Sequence, residues 1–419
     1  MSPAITFLVQ AMIIIGLPPM LWHYMRVKRI VPLAVIQIVT GIALGPSFLG
    51  RISPPLFDTL FPAATVNALS TIANLAVILF AFTIGSHLDL SALRARGGSF
   101  LCISIGAVAL PTLLGIAAGW WISLAFPQTL GAHATRIDFA LAIGICVGIT
   151  ALPVLGAILR EMDLLGQHIG QLALRAAVVN DAALWILLAL LLTYMTQHDR
   201  GSLAIWRIVG GGTAYILVMA FAIRPLLARL GGRGPFGDRH LVLVSVMAIA
   251  SAAATELLGL HYVLGAFVAG VVVLDNWRSQ ILARLDVVAT TVLLPFFFIT
   301  TGLKVHIDPF ADEFSTIVVV TLITALVGKI AGTAIPARLS GEKWGDAFAL
   351  GALMQAKGLV AFVALAVLLD SQVIDLTVFS ALVVMAVVND MLCMPLVRLG
   401  LARAAATDSQ ALPYHMPVP

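Results

Sequence analysis

The chain has 419 residues, 61% of them hydrophobic and only 11% charged, with a formal net charge of +4 and a mean hydropathy of +1.06. A soluble domain carries about 25% charged residues, so this composition excludes the water-soluble enzyme classes and indicates a polytopic helical membrane protein. The basic excess does not point to nucleic acid, because the lysines and arginines fall mainly between apolar stretches.

The apolar stretches predict thirteen spans, at about 4–25, 31–49, 65–86, 100–126, 137–160, 168–195, 206–229, 241–258, 262–275, 287–303, 315–336, 346–369 and 376–399. The ninth is short for a bilayer that needs about 20 residues. The opening Met1-Ser-Pro-Ala-Ile-Thr6 has no charged region ahead of it and reads as the start of the first span rather than a signal peptide. With the N-terminus outside and the C-terminus cytoplasmic, the inner loops and tail hold sixteen lysines and arginines. The outer side holds five, Arg51, Arg136, Arg200, Arg207 and Lys304, which is the expected inward bias of positive charge. Residues 1–403 form one transmembrane domain in this reading. Residues 404–419 form a short, polar, disordered tail with no room for a nucleotide-binding regulatory domain. Cys102, Cys146 and Cys393 all lie within apolar stretches, so neither a disulfide framework nor a metal site is indicated.

The fifth span, Gly144-Ile-Cys-Val-Gly148-Ile-Thr150-Ala151-Leu-Pro153-Val-Leu-Gly156, carries glycine, threonine and proline near its centre, where Pro153 removes a backbone donor. The twelfth reads Gly351-Ala-Leu-Met-Gln355-Ala-Lys357-Gly358-Leu-Val and is weakened in the same way. Interrupted segments at corresponding places in two halves of a chain point to a transport site; kinked packing helices are the alternative. The tetrapeptide Val-Val-Asn-Asp occurs at 178–181 in the sixth span and at 387–390 in the thirteenth. Seven spans separate the copies, so the two helices run in opposite directions, as in inverted repeats. Chance recurrence in a valine-rich chain is the other reading.

Asp181, in Arg175-Ala-Ala-Val-Val-Asn180-Asp181, lies about halfway along the sixth span. A carboxylate at that depth costs about 2.5–3.5 kcal/mol by insertion measurements, and the default explanation is an ion or proton site, with Asn180 sharing ligand duty. A carboxylate neutralised by a lysine is the bland alternative. Lys329 in the eleventh span can pair with Asp181 when the site is empty, hold broken-helix carbonyls, or snorkel. Lys357 stands at the twelfth-span break, where a fixed cation can neutralise the carbonyl ends of half-helices. Asp390 mirrors Asp181 and is a second titrating group or a partner for Arg175 or Lys357. Arg175 itself falls on another face, towards the cytoplasm, and reads as snorkelling. Glu256 is a gate residue or a solvated carboxylate at the outer end of the eighth span. His-Glu-x-x-His and Gly-x-Ser-x-Gly are absent from the sequence, and it offers no phosphate-cradling glycine loop. With neither an enzyme motif nor a cofactor site, the expectation is transport driven by an ion gradient.

Six segments together resemble the monovalent cation–proton antiporters of the second family, in the Kef-like and plant cation/H+ exchanger branch. They are Gly41-Ile-Ala-Leu-Gly45-Pro46-Ser47, Ile149-Thr-Ala-Leu-Pro-Val-Leu155 with Glu161 and Leu164-Leu165, Ala176–Asp181 with Trp185, Gly265–Gly270 after His261, Pro295–Lys304, and Gln355–Leu359. The resemblance implies thirteen helices, with a core of about 100–195 and 315–399 holding two crossed broken helices. That core moves against a dimerisation scaffold in a homodimer, here in a bacterial inner membrane. It further implies Asp181 as the carboxylate shared by proton and cation, Asn180 as the neighbour of an electroneutral exchanger, and Thr150 as a broken-helix ligand. Lys329 becomes the core lysine and Lys357 the basic residue of the second break. Three positions depart from the family pattern: Ala361 stands where a glutamate is common, and Arg175 and Asp390 where charge is unusual. The branch favours K+ over Na+. A proton-coupled exporter of an organic ion or ionophore on the same fold is the alternative function, and a gated channel would carry current without proton counterflow.

Overall fold

The first third of the chain forms helices α1 (Pro3–Tyr24), α2 (Leu33–Leu44), the short α3 (Leu49–Ile52) and α4 (Pro54–Leu60), α5 (Ala63–His87) and α6 (Gly98–Ala125). Then come α7 (Arg136–Gly148), α8 (Leu152–Glu161), α9 (His168–Arg200), α10 (Ser202–Val218), α11 (Arg224–Leu230), α12 (Asp238–Leu257) and α13 (Tyr262–Val272). The chain continues through α14 (Asp275–Ile281), α15 (Leu294–Lys304), α16 (Asp312–Leu339), α17 (Trp344–Leu353), α18 (Gly358–Asp370) and α19 (Leu376–Gln410). This computed structural model describes residues 2–24, 33–87, 98–132, 134–200, 202–230, 237–258, 260, 262–307 and 312–410; several side chains within those ranges, including those of Asp181 and Pro153, lie outside the description. Among the described residues there is no strand, only one bridge between Leu130 and Ile374. In hydrocarbon every backbone N–H and C=O must be satisfied internally, which apolar runs of this length achieve as helices.

Among the described residues nine helices are long and apolar enough to cross a membrane, and Tyr262–Val272 and Ala361–Asp370 are shorter apolar helices. The protein is an integral membrane protein of all-α architecture. The sketched spans follow the helices closely, with three corrections. The tenth, placed at 287–303, begins at Asp275: α14 runs into α15 through π-helical turns at Leu282–Asp286 and Ala289–Leu293. Its four charged residues looked like a loop, yet Arg278 pairs with Asp275 at 3.1 Å and Arg284 with Asp238 at 2.8 Å. The tail set at 404–419 is helical as far as Gln410, because α19 continues through an alanine-rich stretch of high helix propensity; residues 411–419 lie outside the described part. Pro153, expected as a mid-helix break, sits in the first turn of α8, where a missing N–H costs nothing.

The helices pack in two groups. α6 lies against α7 and α16, and α17 against α19, with α16 bridging to both α17 and α19. In the other group α5 packs on α13 and α15, and α2 on α15. Lipid is as apolar as leucine, so helices associate by close contact of small residues. A Cβ on Gly106 would strike the Gly332 carbonyl between α6 and α16, and a Cβ on Gly270 would strike the Phe82 carbonyl between α13 and α5. Outward-facing Leu113, Val246, Ile323 and Val327 stay exposed, as a lipid-facing surface requires. A small cleft lies between α18 and the group of α5, α13 and α15. Lys304 and Asp370, 3.7 Å apart, stand across it.

Candidate functional site

Both predicted breaks exist, and they meet. α7 starts with a capping box, in which Asp138 N–H donates to Thr135 Oγ1 and Thr135 N–H to Asp138 Oδ2. It ends at Gly148, and residues 149–151 are non-helical, with Ile149 extended, before α8. α17 ends at Leu353, and α18 starts at Gly358. The two irregular segments bond each other through their backbones: Ala151 N–H donates to the Ala356 carbonyl at 2.6 Å. Irregular backbone at this depth is tolerated only where protein buries it, and Thr150, Ala151, Gln355 and Lys357 are all fully buried.

Thr150 is the hub of the first break. Its hydroxyl donates to the Met354 carbonyl at 2.8 Å and accepts from Lys329 Nζ at 2.6 Å and from Asn180 Nδ2 at 3.2 Å. A hydroxyl offers one donor and two lone pairs, so this one is saturated. Lys329 also donates to the Ala107 carbonyl at 2.9 Å. It is completely buried, which rules out snorkelling. Asn180, 2% exposed, is held on α9 beside the break, and its Oδ1 has no hydrogen-bond partner among the described residues. Asp181 follows it on α9; its side chain lies outside the described part.

Lys357 reaches from the second break to the first. Its Nζ donates to the carbonyls of Val147 at 2.8 Å, Cys146 at 3.3 Å and Ile149 at 3.5 Å. Cys146 and Val147 lie in the last turn of α7, whose carbonyls carry the negative end of its dipole and have no intrahelical partner, and Ile149 follows the helix end. Gly358 has φ +47°, and a Cβ there would collide with the Val154 side chain, so glycine is required by both backbone angle and space. Gln355 anchors the break sideways, donating to the Ala325 and Leu326 carbonyls of α16. Asp390 on α19 accepts from the backbone N–H groups of Lys357 and Gly358.

The remaining candidates lie elsewhere. Arg175 is exposed on α9. Glu256 is exposed too, and accepts from Tyr262 N–H at 2.9 Å at the start of α13. Among the described residues no group of three or more His, Cys, Asp or Glu could hold a resident metal. Sequence reasoning missed the carbonyls of Ala107, Met354 and Ala356, since a backbone acceptor has no residue-type signal. It also missed the Lys304–Asp370 pair, although each charge stands at the end of an apolar run.

The sodium/hydrogen exchanger transmembrane family matches residues 11–397 of the chain. The chain belongs to this family. It is 33% identical over 375 residues to cation/H(+) antiporter 19 of Arabidopsis thaliana, covering 88% of this chain and 46% of that one. It is 30% identical over 424 residues to K(+)/H(+) antiporter 1 of Saccharomyces cerevisiae, covering 95% and 46%. With Na(+)/H(+) antiporter NhaS4 of Synechocystis it shares 29% identity over 372 residues, covering 87% and 90%. The chain thus spans about half the length of the plant and yeast relatives and most of the cyanobacterial one. The sodium proton antiporter MjNhaP1 of Methanocaldococcus jannaschii has the same fold, with a TM-score of 0.60 at 12% identity, covering 96% of this chain and 99% of that one. This exchanger-family chain therefore carries the family's sodium/proton antiporter fold with two broken helices meeting inside it.

Proposed function

We propose that the protein is a secondary antiporter that exchanges a monovalent cation for H+, with the two ions competing for Asp181. It acts as a transporter and not as an enzyme. Family membership and the names of its relatives support the reaction class. The observation that carries the site is Asn180: its amide is buried at the first break, bonded through nitrogen to Thr150, with its oxygen unpaired among the described residues. An unsatisfied buried acceptor costs about 1–3 kcal/mol, and a dehydrated cation beside the adjacent carboxylate would satisfy it.

The saturation of Thr150 gives the exchange its logic. For the hydroxyl to ligate a cation, Lys329 or Asn180 must release it. Cation binding therefore displaces one of those two donors from the hydroxyl, and a proton on Asp181 leaves the hub closed. One carboxylate taking one proton or one cation yields electroneutral one-for-one exchange. Movement of the α6–α9 and α16–α19 group against the remainder exposes the site to either side, with the cleft beside Lys304 and Asp370 as one entrance. The protein works as a homodimer in a bacterial inner membrane, and K+ is the preferred cation by family branch.

The test is reconstitution of the full chain in liposomes with a pH-sensitive dye inside, pulsed in turn with K+, Na+ and an organic cation. Wild-type protein is expected to release protons on a K+ pulse. Exchange that persists in Asp181→Asn would overturn the assignment of Asp181, and a response confined to the organic cation would favour export of an organic ion. Cross-linking in native membranes reads the dimer.

A further inference from the structure

The repeated Val-Val-Asn-Asp motif puts one copy on α9, whose Asn180 meets the first break, and the other on α19, whose Asp390 meets the second. Asp390 is completely buried on α19. Its Oδ1 accepts from Lys357 N–H at 2.7 Å and Gly358 N–H at 3.4 Å, and its Oδ2 accepts from Gly358 N–H at 3.1 Å. Those N–H groups open α18, where donors have no intrahelical partner and the dipole is positive. Both carboxylate oxygens thus act as acceptors, the pattern of an ionised group.

Lys357 links this anion to the other break. Its backbone is gripped by Asp390, while its ammonium extends to the Cys146, Val147 and Ile149 carbonyls. The residue after Ile149 is Thr150, the hub of the candidate ion site. Other ionisable groups leave Asp390 little company. Cys393, on its own helix, bonds to the Ala352 carbonyl, Cys146 on α7 lies beyond the Lys357 ammonium, and Lys329 on α16 is directed to Ala107 and Thr150.

We infer that Asp390 is a positioning residue that works in its ionised form: it clamps the start of α18, aims Lys357 at the end of α7, and supplies the negative charge that balances that lysine. Asp181 is thereby left as the carboxylate that changes partners. This rests on the proposed exchange reaction, and extends it by separating two acids of identical sequence context into a carrier and a clamp.

The experiment compares wild type, Asp390→Asn and the double variant Asp390→Asn/Lys357→Gln, each as full chain in liposomes, over a pH series with K+ pulses. Asp390→Asn is expected to slow exchange at least about tenfold, the loss typical of a hydrogen-bonded charge. It should also move the half-maximal pH to more acid values, because the core gains one uncompensated positive charge. The double variant, neutral again, should return that pH towards wild type even if the rate stays low. Difference infrared spectroscopy of protonated carboxyl groups is read alongside; Asp390→Asn should remove no band. An unmoved pH profile in Asp390→Asn, a double variant no closer to wild type than the single one, or a protonated-carboxyl band lost in Asp390→Asn would each overturn the inference. A wild-type protein that exchanges nothing would instead sink the antiport reading, with the infrared result still reporting the state of Asp390.

Discussion

The two broken helices are built from matching parts, yet they are satisfied in opposite ways. At the first break a threonine hydroxyl has all its capacity in use, with the Lys329 ammonium among its donors, and the oxygen of Asn180 is unpaired among the described residues. At the second a carboxylate holds backbone N–H groups, an amide ties the chain to α16, and a lysine crosses over to cap the first break. The second break is held by charged groups, whereas the hub of the first is a hydroxyl whose donors can be exchanged; the amide oxygens of Gln355 and Asn389 are unpaired among the described residues, as is that of Asn180. The charged support of one break and the exchangeable hydroxyl of the other separate two otherwise similar interruptions.

Removing the link between the breaks should have the largest effect. Lys357→Met leaves three α7 carbonyls and the Asp390 carboxylate without their cation, and breaking a buried charge arrangement costs about 3–5 kcal/mol. The expected outcome is loss of both cation-dependent proton flux and thermal stability in detergent; a normal melting temperature would show that the breaks do not depend on one another. Gly358→Val strikes the support alone. A β-branched residue at φ +47° facing Val154 costs about 1–3 kcal/mol in backbone strain, with overpacking in addition. It should lower the melting temperature and slow exchange while leaving cation selectivity unchanged.

Thr150→Val tests the exchangeable side. It removes three hydrogen bonds around one hydroxyl, each worth about 0.5–1.5 kcal/mol net and more where an ammonium takes part. The prediction is a raised KM for the cation with a smaller change in melting temperature, and recovery in Thr150→Ser. A change in stability alone would place Thr150 with the support. The smallest effect is expected at the cleft. Lys304 and Asp370 are both about half exposed, and such pairs contribute about 0.2–1 kcal/mol. Lys304→Ala should alter exchange less than about fivefold, chiefly at low ionic strength.

Much of this arrangement was legible in the order of residues. The positions of both breaks followed from glycine, proline and polar residues inside otherwise apolar runs, and the reach of Lys357 to half-helix carbonyls followed from a cation placed at an interruption. Other features were hidden. Pro153 drew attention as a break, although the helix had already ended at Gly148 and the proline only begins the next one. The charged run from Asp275 resembled a loop because its neutralising partner Asp238 lies about forty residues upstream. Asp390 offered several roles, because nothing in its local sequence distinguishes it from Asp181.

By itself the sequence determined that this is a helical membrane protein, that two of its spans are interrupted, and that acids and lysines lie at membrane depth, since transfer costs and helix breakers act on residues one at a time. Only the tertiary structure decided which of those groups meet. Ala151 and Ala356, Thr150 and Met354, and Lys357 and Val147 are each more than two hundred residues apart, and a hydrogen bond to a backbone carbonyl leaves no mark on the residue that supplies it. The different support of the two breaks belongs to that level, because the pairing of a polar group is a property of its neighbours in space.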